Sequence, residues 1–194
     1  MGNTLTIFKR ELGAYFNSPV AYIVIAVFLL VSGYLFFSQV FIAGEATMRD
    51  LFGITPLIFM FFAPPVTMRL LAEEKRAGTI ELLITMPVKD WEVVLGKFLA
   101  AQTLFTVAIA LTLVYPYTLS RFGELDWGTV AGGYVGLVLL WGTYVSIGLM
   151  ASSWTRNQVV AFIIAFGIIF SLYLLGKMLP LMPAALAPVL QYLS

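Results

Sequence analysis

The side chains able to do polar chemistry crowd into one short run, Glu73-Glu74-Lys75-Arg76. Gly78 and Thr79 follow, then the apolar Ile80, Leu82 and Leu83 with Glu81 among them, up to Pro87. Residues of these types make ion pairs and docking contacts rather than covalent bonds. A nucleophilic or metal-dependent enzyme would need more. With no Cys and no His, the chain offers no thiolate, no imidazole base and none of the commonest soft-metal ligands. A phosphate-cradling loop is missing as well: Gly96-Lys97 lacks the glycine five positions before Gly96, and Phe98 stands where Ser or Thr would be needed. The sequence therefore reads as a non-enzyme that binds no cofactor of its own.

The elements that must position this run are membrane helices. Of the 194 residues, 61% are hydrophobic and 11% charged, and a mean hydropathy of +0.97 leaves too little polar surface for a water-soluble globule. A formal net charge of +1 gives no basic field to gather nucleic acid, which is excluded as a partner. A spanning helix needs about 20 mostly apolar residues. Uncharged runs of that scale lie at 19–43, 51–68, 98–120, 127–153 and 158–176. The fold expected is all-α, a single polytopic membrane domain over 1–194. Residues 1–18 form an interfacial helix, membrane helices cover 19–43, 51–77, 90–120, 127–153 and 158–178, and 179–194 form an extracellular, re-entrant-like tail. The first span, at 25 residues, exceeds the roughly 7–15 apolar residues of a signal-peptide core and should be retained.

Cations set the orientation. Lys9, Arg10, Arg69, Lys75, Arg76, Lys89, Lys97 and Arg156 fall on one side and Arg49, Arg121 and Lys177 on the other, eight against three of eleven, which places the N terminus in the cytoplasm. Leu5, Phe8, Leu12, Tyr15 and Phe16 recur at helical spacing after a cap at Asn3 or Thr4, as an amphipathic helix lying in the membrane surface requires. Helix-compatible sequence carries the second span on through Glu73–Arg76 to Gly78, a typical residue just past a helix C terminus. Pro64 and Pro65 each remove a backbone donor inside that helix, so a bend, and a candidate hinge, is expected there.

After Gly78, Thr79 can cap a short helix with Glu81 in its first turn, ended by Pro87. Its body is apolar nearly all round in a loop that otherwise faces water, so something must cover it. Asp90 is expected to cap the third span. Between boundary charges the spans contain no Asp, Glu, Lys or Arg, whereas ion-coupled carriers keep ionisable groups near the midplane. Energy for transport must then come from another polypeptide. Gly132 and Gly136 form a GxxxG for which internal helix packing is the preferred reading over a subunit interface. Trp127, Trp154, Tyr115 and Tyr117 read as interfacial belt residues.

The run RLLAEEKRAGTIELLITMPV, followed by DWEVVLGKFLA, resembles the cytoplasmic loop of permeases of ABC type 2 transporters, most closely the gliding-motility type. FKRELGAYFNSPVAYIV is similar to the entry to that family's first span. The resemblance implies a transport subunit of the bacterial inner membrane that moves an amphiphile, polymer or drug outward. It also implies a second permease subunit, identical or related, and two copies of a cytoplasmic ATPase that hold the ATP and Mg. The coupling helix maps onto 79–86, with Glu73, Glu74, Lys75 and Arg76 on its approach. A second cytoplasmic contact maps onto 152–157, including Trp154, Arg156 and Asn157. The family usually has six spans, and this sequence shows five. Two other classes compete: a secondary carrier or channel, which needs a polar ring inside the spans, and a non-transporting assembly factor.

Overall fold

The computed structural model describes residues 2–43, 47–79, 88–121, 123 and 125–178. Their secondary structure is helical throughout: α1 Gly2–Phe16, α2 Pro19–Ala43, α3 Arg49–Thr67, α4 Ala72–Ala77, α5 Asp90–Leu111, α6 Val114–Leu119, α7 Trp127–Trp154 and α8 Gln158–Met178. Five stretches are long and apolar enough to cross a membrane: Pro19–Ile42, Arg49–Ala77, Asp90–Leu119, Trp127–Trp154 and Gln158–Met178. The chain is an all-α, multi-pass membrane protein. The expected coupling segment, with Ile80, Glu81, Leu82, Leu83 and Pro87, and the tail at 179–194 lie outside the described residues.

Within lipid, helices gain nothing from hiding apolar surface as such and associate by close packing and interhelical hydrogen bonds. Here aromatic rings supply much of the packing. Phe105 stacks on Trp141 with centroids 3.6 Å apart, and Phe28, Phe59 and Phe62 pack edge-on or tilted around Phe105, each such pair adding about 0.5–1.5 kcal/mol beyond its area. The indole of Trp141 donates to the Ala101 carbonyl at 3.2 Å, tying α7 to α5. Glycines let backbones meet: a Cβ on Gly148 would stand 1.9 Å from Thr67 Oγ1, so α7 touches the end of α3 only because that side chain is absent.

Several local expectations change. The GxxxG pair does not do the internal packing: Gly132 and Gly136 are exposed, and a Cβ on either would meet nothing within 4 Å. Tyr115 is no belt residue; it donates to the Leu29 carbonyl at 2.9 Å and stacks on Phe36. Trp127, Trp154 and Tyr117 are exposed. Helix α1 starts at Gly2, so Asn3 is not its cap and instead bonds Glu92 at 3.3 Å. Asp90 does not cap α5 either. Lys89 occupies the N-cap, and Glu92 reaches back to accept its backbone N–H at 3.1 Å. The third span is interrupted at 112–113, where Pro116 has no N–H for the Thr112 carbonyl and the Tyr134 hydroxyl donates to it at 3.0 Å.

Candidate coupling site

The second long apolar helix does not run unbroken from 51 to 77. Regular α-helix passes through Pro64 and Pro65 as far as Thr67, and the interruption falls one turn later, at 68–71, before α4 resumes. The cause is a set of tertiary hydrogen bonds that replace helical ones. Ser152, fully buried near the end of α7, accepts the backbone N–H groups of Leu71 at 3.0 Å and Ala72 at 2.9 Å and donates to the Met68 carbonyl at 3.1 Å. A distant serine therefore does for α4 what an N-cap residue usually does from the preceding position. The Val66 carbonyl is taken by the Tyr15 hydroxyl at 3.0 Å. Burial pushes the Tyr15 pKa well above its ordinary value, with Glu11 adding in the same sense, so the hydroxyl stays a donor.

Helix α4 ends at Gly78, whose φ of 72° is the left-handed geometry that glycine adopts without strain, and the Gly78 N–H returns to the Glu74 carbonyl. Thr79 Oγ1 reaches the same carbonyl at 3.4 Å. A Lys75 ammonium donation to the Ser153 carbonyl holds the middle of α4 against α7.

On its other side α4 is held by four charges from three helices. Lys97 of α5, 2% exposed, donates to Glu11 of α1 at 3.1 Å and to Glu74 of α4 at 2.9 Å. Arg10 bridges the same two carboxylate oxygens at 2.7 and 3.2 Å. Two cations against two carboxylates cancel, which is the condition for tolerating an ammonium so nearly dry. Glu11 and Glu74 raise the pKa of Arg10, with the Glu11 hydrogen bond the largest cause. The second oxygen of Glu74 is buried and finds no hydrogen-bond partner among the described residues.

Beyond the brace, Arg76 of α4 and Thr155, Arg156 and Asn157 of the α7–α8 connection line one polar recess of about 480 Å³. Both guanidinium groups are on exposed residues and form no ion pair among the described residues. The two cytoplasmic contact regions read from the sequence thus converge on one end of the bundle. Asn157 also serves α8, accepting the Val159 N–H at 2.9 Å.

A family model described as "ABC-2 family transporter protein" matches residues 5–193. The chain belongs to the ABC-2 transporter family. It is a membrane transport component, the permease of an ABC transporter. No curated protein matches it. Of the residues expected to couple this permease to an ATPase, Glu74, Lys75 and Arg76 have defined partners or a shared recess, Gly78 and Thr79 close α4, and Glu73 and Trp154 are exposed. Sequence reasoning missed Ser152, Tyr15, Arg10, Glu11 and Lys97 as parts of the joint. The one available signal was charge balance: KRE in α1 and EEK before the loop are complementary and sit on the same membrane face.

Proposed function

We propose that this permease is the transmembrane subunit of an ATP-driven exporter of the gliding-motility type, paired with a second permease subunit and worked by a separate cytoplasmic ATPase in two copies. The observation that supports it is the mounting of α4. Six residues long, α4 is too short to be stable alone. It is nonetheless held by Ser152 at its start, Ser153 in its middle and the Lys97 cluster along its flank. A segment fixed so firmly on both sides transmits force, and the chain leaving it is the apolar stretch with Ile80, Leu82 and Leu83. Each of these side chains is worth roughly 1.5–3 kcal/mol on full burial, so an ATPase that covers them gains an anchor. Arg76 and Arg156 add a recess that accepts a carboxylate from the same partner.

The test is pull-down through the permease from solubilised native membranes, with the captured proteins searched for a P-loop ATPase, followed by ATP turnover of the captured complex in vesicles. Retention of the ATPase, with turnover that depends on the permease, is the expected result. A permease that purifies alone and transports without nucleotide overturns the proposal in favour of a secondary carrier.

A further inference from the structure

The connection between α7 and α8 consists of residues 155–157, and it is pinned at both ends. Helix α7 stops at Trp154 because Thr155 is extended; Thr155 Oγ1 then accepts the Asn157 N–H at 3.0 Å, and Asn157 Oδ1 accepts the Val159 N–H of α8 at 2.9 Å. Arg156 is thereby fixed at the start of α8, where with Arg76 of α4 it lines the polar recess of about 480 Å³. Thr155 Oγ1 still has its proton to donate and Asn157 its amide hydrogens. The lining thus offers two guanidinium forks and two neutral donors, and it contains no carboxylate.

The charges around the recess do not cancel. Glu74 is engaged with Lys97 and Arg10, inside the neutral cluster that also holds Glu11. Glu73, exposed and one turn before Arg76, is the other carboxylate of α4. Lys75, Arg76 and Arg156 stand against it, which leaves two positive charges among the described residues. Helices α7 and α8 contain no Asp or Glu, and α8 adds the partial positive charge of its N terminus.

Two forks and two charges discriminate between anions. A free carboxylate is satisfied by one guanidinium, so it would leave the second arginine unpaired. A phosphate offers three or more oxygens and up to about two negative charges near neutrality, enough for both guanidiniums and the Thr155 hydroxyl. We propose that Arg76, Thr155, Arg156 and Asn157 form a binding site for a phosphate oxyanion, free or carried by a lipid headgroup, that bridges α4 to the start of α8. Trp154, 63% exposed beside the connection, marks headgroup level, so either source reaches Arg156. The carboxylate assigned above to this recess arrives tethered to the ATPase, at high effective concentration, whereas a free ligand has to match the recess unaided. The anion site needs no ATPase. Its failure would leave capture standing, and failure of the pull-down would leave the anion site standing.

The test uses the full chain purified in dodecyl maltoside, which carries no phosphate, titrated calorimetrically with sodium phosphate at constant ionic strength. The parent should show saturable binding. Arg76→Gln and Arg156→Gln should each weaken it about tenfold, as loss of one charge-assisted contact predicts, and the double variant little further, because both arginines act on one anion. Lys9→Gln, which removes an exposed cation at the same end of the bundle, should change nothing, and acetate should displace phosphate poorly. Native mass spectrometry after addition of short-chain phosphatidylglycerol assigns the source. Lipid retained by the parent and lost from Arg156→Gln means a headgroup phosphate; phosphate binding without retained lipid means a free one. Absence of both, an equal loss in Lys9→Gln, or acetate competing as well as phosphate would reduce the recess to a diffuse basic surface and overturn the site. Binding that appears only in Glu81→Gln would also overturn it, since the loop's own carboxylate would then be the occupant. Gel filtration of each variant separates misfolding from lost binding.

Discussion

Lys97 and Glu74 are 23 residues apart in sequence, yet the ammonium of one lies 2.9 Å from a carboxylate oxygen of the other. The intervening chain leaves the membrane helix, passes through the coupling segment and returns as α5. The pair therefore closes the base of the loop on which the ATPase is proposed to act, with Glu11 and Arg10 clamping α1 to the same point.

Breaking that pair from the lysine side should be costly. Lys97→Met leaves two nearly dry carboxylates facing only Arg10, and removal of one partner of a buried pair typically destabilises by about 3–5 kcal/mol. Lys97→Met together with Glu11→Gln and Glu74→Gln should recover much of the loss, because the one charge left unpaired in the cluster is Arg10, whose side chain is 55% exposed and stays solvated. Thermal denaturation followed by fluorescence-detected gel filtration measures both. A single variant as stable as the parent would mean that water reaches the cluster freely.

Ser152→Ala should loosen α4 without unfolding the bundle. It orphans the Leu71 and Ala72 amides and the Met68 carbonyl at once, and an unsatisfied buried group costs about 1–3 kcal/mol. Hydrogen exchange at Leu71 and Ala72 should quicken while that of the α5 amides stays unchanged. Unchanged protection at Leu71 would show that helix propensity, not the serine, sets the start of α4.

The spans were legible because an uncharged run of 20 residues in a chain this apolar has few alternatives, and Gly78 was legible because so few residues adopt left-handed backbone. Ser152 was not, since nothing in its neighbourhood announces that it will serve amides some 80 positions away. Lys97 reads as a boundary charge in one dimension and becomes buried only when α1 crosses α5 above it. Gly132 and Gly136 invite the opposite error: their spacing suits close packing, but Gly133, one residue off that register, and Gly148, twelve residues beyond Gly136, carry it instead, against Phe52 and Thr67.

The N-terminal end of α7 should respond to acid. Thr129 Oγ1 first, then the backbone N–H groups of Gly128 and Thr129, hold the Asp126 carboxylate below its ordinary pKa. A depressed pKa means that the cap's contribution is complete above the unfolded value of about 3.9 and is lost as pH falls through the lower, folded value. Hydrogen exchange at 128–130 should therefore rise below about pH 4 in the parent. Asp126→Asn, which keeps an acceptor but cannot titrate, should flatten the profile. The same rise in Asp126→Asn would assign it to another group.

Coupling can be attacked at two separate surfaces, and the pattern of the losses is the prediction. Leu82→Asp places a carboxylate where an apolar contact is required, so it should weaken ATPase capture at every ionic strength, since desolvating an unpaired charge is costly whatever the salt. Arg76→Glu with Arg156→Glu reverses the sign of the recess and should also weaken capture. Here, however, the parent's advantage should shrink as salt rises, because the contact is electrostatic and partly exposed. Both variants should insert normally, as Leu82 and Arg156 lie outside the spans and Arg76 stands at the charged end of the second, beside Glu73, Glu74 and Lys75. Surface plasmon resonance of the purified ATPase on permease in nanodiscs, run across a salt series, reads the two effects separately. If the double reversal binds as tightly as the parent at low salt, the recess is removed from the interface. If Leu82→Asp does so too, with ATP turnover still stimulated, the loop is not where the ATPase docks and the apolar residues pack against the permease itself.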